Sequence, residues 1–235
     1  TRRLDKDCYV DFDRIFAVSD ETAGVFAGVY PECQQKLSVF HNLIDTETIR
    51  QKALLPAEKA MHEGIRLLTV GRLTPQKGFD CAVYALKLLL EKQYPVYWYI
   101  IGEGPEYGRL TQLARSLHVE DHFIFLGMQT NPYPYFKMAD FYIHATRFEG
   151  KSIAIQEAQV LGCAIAASDC SGNREQIVSG VDGLLCPFSP EGIANAVEYL
   201  IEHPQTAESF GRAAAQKACH FENDIHMIRD LLYSP

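Results

Sequence analysis

The chain has 235 residues, 47% hydrophobic and 22% charged, a globular composition with room for one large domain or one and a half. A formal net charge of −8 argues against general nucleic-acid binding, and no apolar run approaches the ~20 residues needed to span a membrane. Seven cysteines without a C-x-x-C pair, and eight histidines without H-E-x-x-H spacing, argue against a disulfide framework or a zinc site. The expectation is a cytoplasmic protein with reduced, mostly buried thiols. Because residue 1 is Thr, the chain is expected to be a fragment or a processed product.

In chain order, residues 10–18 alternate and then turn apolar, as a strand entering a core does. Residues 22–30 read as a short helix ending before Pro31, and 37–41 as a second strand. Such a strand–helix–strand unit is too small to bury a core alone. Residues 46–62 begin as a helix, meet Pro56 and become a polar linker, which sets expected domains of 1–60 and 61–235. From residue 65 strands and helices alternate. Strands are expected at 65–70, 96–101, 123–126, 141–144, 164–167 and 184–186. Helices are expected at 79–92, 106–117, 132–138, from about 152, at 173–178, 190–202, 206–219 and 222–233.

This alternation predicts an α/β fold, a parallel sheet with helices on both faces. Ligands bind such sheets at the carboxyl ends of the strands, so loops 71–78, 102–105, 127–131, 145–151 and 168–172 should share one rim. Loop 71–78 carries Gly71, Arg72 and Lys77, a planar donor fork and a compact charge suited to phosphate. Gly102 and Gly104 allow a tight turn and a close ligand. Gly127 and Met128 end a strand where backbone groups can read a base edge, although Met128 could equally fill the core. Asp169 reads as a helix cap, Trp98 as core, and His144 as a structural residue at a strand end.

The chain is organised around residues 148–158, Phe-Glu-Gly-Lys-Ser-Ile-Ala-Ile-Gln-Glu-Ala. Ser152 is the expected N-cap of a helix. Gly150, Lys151, Ser152 and Ile153 offer backbone N–H groups at its start, a favourable place for an anion. Glu149 lies in the loop before the helix, and Glu157 lies in its second turn. A phosphate at the helix start, with carboxylates on either side to accept sugar hydroxyls, suits a nucleotide sugar.

Taken together, G-R-L-x-x-x-K-G, G-x-G-P, F-L-G, E-G-K-S-I-A-I-Q-E-A-x-x-L-G and D-G-L-L resemble the C-terminal domain of retaining GT-B glycosyltransferases of family 4, the group 1 glycosyltransferases. The likeness covers about residues 65–202 with every motif in order. Residues 10–45 resemble the end of such an enzyme's N-terminal domain. The implied fold is a Rossmann-like parallel sheet preceded by a remnant of that first domain.

The resemblance implies that Arg72 and Lys77 bind the donor diphosphate and stabilise its leaving charge. It implies that Glu149 lies near the transferred sugar and that Glu157 accepts from the nucleotide ribose. Lys151-Ser152 stand where many relatives carry an aromatic residue and then Pro or Gly, a departure that bears on sugar choice. The implied function is sugar transfer from a UDP- or GDP-linked donor, with retention, to a glycan or lipid-linked acceptor in polysaccharide biosynthesis. No cofactor or metal is called for. The enzyme is expected to be cytoplasmic or peripheral at the inner face of a membrane, and this chain alone inactive or weakly active without the rest of its N-terminal domain. The alternatives are a self-standing nucleotide-sugar binding module or a GT-B nucleotide-sugar epimerase.

Overall fold

A six-stranded, wholly parallel sheet carries most of the chain. The computed structural model describes residues 8–219. The expected helix at 222–233 lies outside them. Among the described residues, 8–44 form one unit and 45–219 another.

The first unit contains β1 (Ile15–Ala17), α1 (Asp20–Val29), a 3-10 segment Pro31–Lys36, and β2 (Leu37–Val39), which pairs parallel with β1. The expected strand over 10–18 shrinks to three residues, with a turn in which the Asp11 N–H reaches Cys8 O. Asp11 and Asp13 disfavour extended backbone, which explains the late start. Ser19 caps α1 by accepting from Thr22 N at 3.1 Å.

The second unit opens with α2 (Thr46–Lys52), capped by Asp45 through a 2.9 Å bond from Thr48 N. The linker that follows is tied down: Tyr135 Oη accepts from Lys59 N at 3.0 Å, and Tyr99 Oη from His62 N at 2.6 Å. The main elements are then β3 (Ile65–Val70), α3 (Phe79–Glu91), β4 (Val96–Ile101), α4 (Tyr107–Ser116), β5 (Phe123–Gly127), α5 (Tyr133–Met138), β6 (Phe141–His144), α6 (Ile153–Val160), β7 (Ala164–Ser168), α7 (Ser171–Arg174), β8 (Leu184–Cys186), α8 (Pro190–Glu202) and α9 (Pro204–Ala218). The helix expected at 173–178 forms instead at Ser171–Arg174. Asp169 does not cap it. Its carboxylate takes the Arg174 guanidinium at 2.6 and 3.2 Å, and Cys170 occupies the N-cap position.

Alternate side chains of the near-continuously apolar strands feed two cores. Leu67, Trp98, Ile100, Ile143 and Ala166 face α3, α4, α8 and α9. Leu68, Tyr99, Tyr142, Ile165 and Ala167 face α5 and α6. Helices therefore cover both faces, as the alternation predicts. Strand order is β5-β4-β3-β6-β7-β8. The chain runs outward one way from β3 and then the other way from β6, so a switch point lies between these two strands. Ligands of open α/β sheets bind in the crevice beyond such a point.

One buried hydroxyl straps the switch point. Trp98 Nε1–H on β4 donates to Thr69 Oγ1 on β3 at 2.9 Å, and Thr69 Oγ1–H donates to Ile143 O on β6 at 2.6 Å. Trp98 is fully buried, as expected of core. Thr69→Val is isosteric but leaves two buried polar groups short of a partner. We expect it to cost roughly 1–3 kcal/mol of unfolding free energy in urea. An unchanged midpoint would show that the strap carries no stability.

Candidate active site

The loops leaving β3 and β6 are stitched together across the switch point. Arg147 N donates to Gln76 O at 2.9 Å, Gln76 Nε2 to Phe148 O at 3.0 Å, and Thr146 Oγ1 to Gln76 O at 3.1 Å. The Arg147 guanidinium binds Asp80 with two bonds of 2.8 and 3.1 Å and lies 5.0 Å from the Phe188 ring centre. Under the second loop, α7 comes so close that a Cβ on Gly172 would sit 2.2 Å from Glu149 O.

This bracing brings Lys77 and Glu149 together, 72 positions apart in the chain, with Nζ donating to Oε2. The second contact to Oε2 is His144 Nε2 at 3.4 Å. Burial alone raises the Glu149 pKa, but hydrogen bonds from His144 and Lys77 and the Lys77 charge outweigh it and hold the carboxyl down at about 2, against an ordinary 4.5. The stabilisation this lends is present above about pH 4.5 and is lost as pH falls towards 2. Burial pushes His144 below its ordinary value, so its ring is neutral near pH 7.

Glu157 has the opposite environment. Burial raises its pKa, against the lowering effect of a 3.0 Å hydrogen bond from Tyr133 Oη. Tyr133 in turn is pushed up to about 12 by burial and by the Glu157 charge. Two glutamates eight positions apart therefore differ: Glu149 is held by the Lys77 cation and a second donor, His144, whereas Glu157 is met by the neutral Tyr133 hydroxyl.

Ser152 is the N-cap of α6, its hydroxyl accepting from Ile155 N at 3.4 Å. Gly150 and Lys151 are half-buried and Ile153 is exposed. Arg72 is exposed on the loop after β3, with no ion pair among the described residues. Gly71, Gly102 and Gly127 line up at neighbouring strand ends: Gly71 N donates to Ile101 O at 2.9 Å and Gly102 N to Gly127 O at 3.0 Å. Beyond them opens a cleft of about 530 Å³, lined by Gly102, Glu103, Gly104, Tyr107, Phe125 and Gly127. Met128 is 69% exposed, so it is not core filler. In the sequence alone His144 reads as structural and nothing marks Tyr133. Both make contacts that exist only in the folded sheet.

A sequence profile described as "Glycosyl transferases group 1" matches residues 47–217, well over half of the chain. The chain belongs to the group 1 glycosyltransferases. Among curated relatives, this group 1 domain is 30% identical over 200 residues to an N-acetylgalactosamine-N,N'-diacetylbacillosaminyl-diphospho-undecaprenol 4-alpha-N-acetylgalactosaminyltransferase of Campylobacter jejuni, covering 84% of this chain and 53% of that protein. It is 33% identical over 158 residues to an uncharacterized glycosyltransferase of Haemophilus influenzae, covering 65% of this chain and 44% of that protein. Among solved structures, Anabaena Alr3699/HepE in complex with UDP-glucose superposes with a TM-score of 0.86 at 20% identity, covering 100% of this chain and 67% of that one. The fold is therefore the Rossmann-like α/β architecture of GT-B glycosyltransferases. The chain spans about half the length of these curated relatives. No helix among the described residues is long and apolar enough to cross a membrane.

Proposed function

We propose that this chain is the donor-binding part of a retaining hexosyltransferase that takes its sugar from a UDP- or GDP-linked donor and passes it to a glycan or lipid-linked acceptor. The observation that carries the reading is the Lys77–Glu149 pair at the switch point, between the two loops where an open α/β sheet binds its ligand. HepE, of the same fold, is described in complex with UDP and with UDP-glucose, which supports a nucleotide-sugar donor here.

Cleaving a sugar–phosphate bond develops negative charge on the diphosphate. Arg72, Lys77 and the start of α6 are the groups to stabilise it, at about 3 kcal/mol per well-placed donor. The backbone of Gly150, Lys151, Ser152 and Ile153 binds phosphate or sugar. Glu149, kept ionised, accepts from sugar hydroxyls. Glu157 accepts from the ribose, and the cleft past Gly102, Gly104, Gly127 and Met128 receives the base. Retention by a carboxylate nucleophile would need two carboxyls about 5 Å apart across the sugar, and the assignment of Glu157 to the ribose argues against it. On this reading the acceptor is held mainly by a first domain, whose end lies within residues 1–60, and 61–235 belong to the donor domain. Alone, the chain transfers weakly or not at all.

Titration calorimetry with UDP, GDP and uridine tests the reading. Saturable binding of a nucleoside diphosphate, unchanged by EDTA, is expected; no binding of either diphosphate contradicts it. Glu157→Gln keeps the shape but loses the charge, and should weaken uridine and UDP alike by roughly 1–3 kcal/mol. Ribose hydroxyls favour the ionised carboxylate, so wild-type affinity should rise as pH climbs through the Glu157 pKa, above 4.5, and this rise should vanish in Glu157→Gln. A pH profile identical in both proteins would remove Glu157 from the site.

A further inference from the structure

The roles assigned above leave one buried group unused. His144 has a side chain only 2% exposed, and it touches the Glu149 carboxylate that Lys77 also touches. A neutral imidazole has one N–H. Glu149, as a carboxylate, only accepts, so that N–H sits on Nε2, 3.4 Å from Oε2. Nδ1 is then a bare acceptor for the hydroxyl of Tyr142, 3.2 Å away and nearer than that hydroxyl's other acceptor, Val70 O at 3.5 Å. Tyr142 is fully buried, which pushes its phenol well up and keeps its proton on. The chain of donors runs Tyr142 Oη–H to Nδ1, then Nε2–H to Glu149, with Lys77 Nζ–H arriving at the same carboxylate oxygen from the other strand's loop.

These two donors to Oε2 are not equivalent. Lys77 stands on a flexible stem and is the group a diphosphate would attract. His144 is fixed on β6, clamped by Tyr142, and neutral, so an arriving anion has little hold on it. Resting on the donor-site reading above, we propose that His144 is a positioning residue: its Nε2–H holds the Glu149 carboxylate in place when Lys77 turns from it to the donor diphosphate. Glu149 then meets the sugar as a fixed acceptor, and the Lys77 ammonium is released without leaving a carboxylate buried and unpaired. The charged and titratable groups bearing on this centre are Lys77 from the loop after β3, Tyr142 and His144 itself on β6, and, through Tyr142, Glu157 on α6 and Cys163 before β7.

The test follows the Glu149 carboxyl by NMR in protein carrying ¹³C at the glutamate carboxyls, assigned with Glu149→Gln. It is read with saturating UDP and, separately, without ligand in a Lys77→Met background, where the ammonium is permanently withdrawn. With His144 present, the carboxyl should stay ionised to low pH in both settings. His144→Met, of similar length but with no donor, should raise its titration midpoint by at least about one pH unit in both. His144→Gln, which restores an N–H, should bring it back. Tyr142→Phe removes the clamp on Nδ1 and should move the midpoint the same way by less, which keeps the question open to measurement if His144→Met does not fold. Midpoints in His144→Met or Tyr142→Phe that match the His144-containing protein overturn the proposal. If UDP perturbs no resonance, the donor-site reading fails, while the Lys77→Met arm still decides what His144 does to Glu149.

Discussion

Lys77→Ala is expected to weaken UDP binding by roughly 10–100-fold while leaving uridine within about twofold, because its target is phosphate and a charge-assisted hydrogen bond is worth about 1.5–3 kcal/mol. The structure sharpens this in one respect. Lys77 is paired with Glu149 in the structure, so on the proposed reading a diphosphate gains the ammonium by displacing a carboxylate. Glu149→Gln relieves that competition. It should therefore leave UDP binding unharmed or improve it, while weakening UDP-sugar relative to UDP. Calorimetry on both variants with uridine, UDP and UDP-glucose separates these roles. Equal losses for all three ligands would mean that the substitutions damage the loops and touch no ligand group.

Gly102→Ala is expected to be the most damaging single methyl in the site. Gly102 has φ +142, where an L side chain is strained, and its Cβ would lie 2.0 Å from Gly71 O, a backbone atom of the neighbouring strand's loop. Relief requires moving the very loop that carries Arg72 and Lys77. The cost should be roughly 2–4 kcal/mol of unfolding free energy, with loss of nucleotide binding even where the protein still folds. Gly108→Ala is the control. It lies in α4 with nothing within 4 Å of a new Cβ, and it should be neutral or stabilising by up to about 1 kcal/mol. A Gly102→Ala protein with wild-type stability and affinity would contradict the packing described for these strand ends.

The same glycine shows what was legible in the sequence and what was not. The apolar runs at 65–70, 96–101 and 141–144 appear as strands with those bounds, because strands buried on both faces leave a continuous hydrophobic signal. The loop after β4 was legible as glycine-rich, but the reason was not. Gly102 and Gly104 are required by the backbone of Gly71 and Leu73 next door as well as by the cleft they line, and that neighbour is set by strand order. Asp169 had the sequence look of a cap, yet an arginine five positions on offered it a better partner. Ser152 was readable because capping is local. His144 was not, because its meaning lies in Glu149, Lys77 and Tyr142, which only the fold assembles around it. Tyr133 was missed for the same reason: its hydroxyl finds Glu157 across two helices.

The central claim is that a nucleoside diphosphate binds where the loops of β3 and β6 meet. It is tested most directly by backbone amide NMR during a titration of the chain with UDP. The account predicts saturable shifts concentrated at residues 71–78, 102–104, 127–128 and 149–153, with those at 71–78 lost in Lys77→Ala. Saturable shifts confined to the opposite end of the sheet, around the cavity lined by Lys137, Asp140, Cys163, Glu208 and Arg212, or no saturable shift at the strand ends at all, would contradict it.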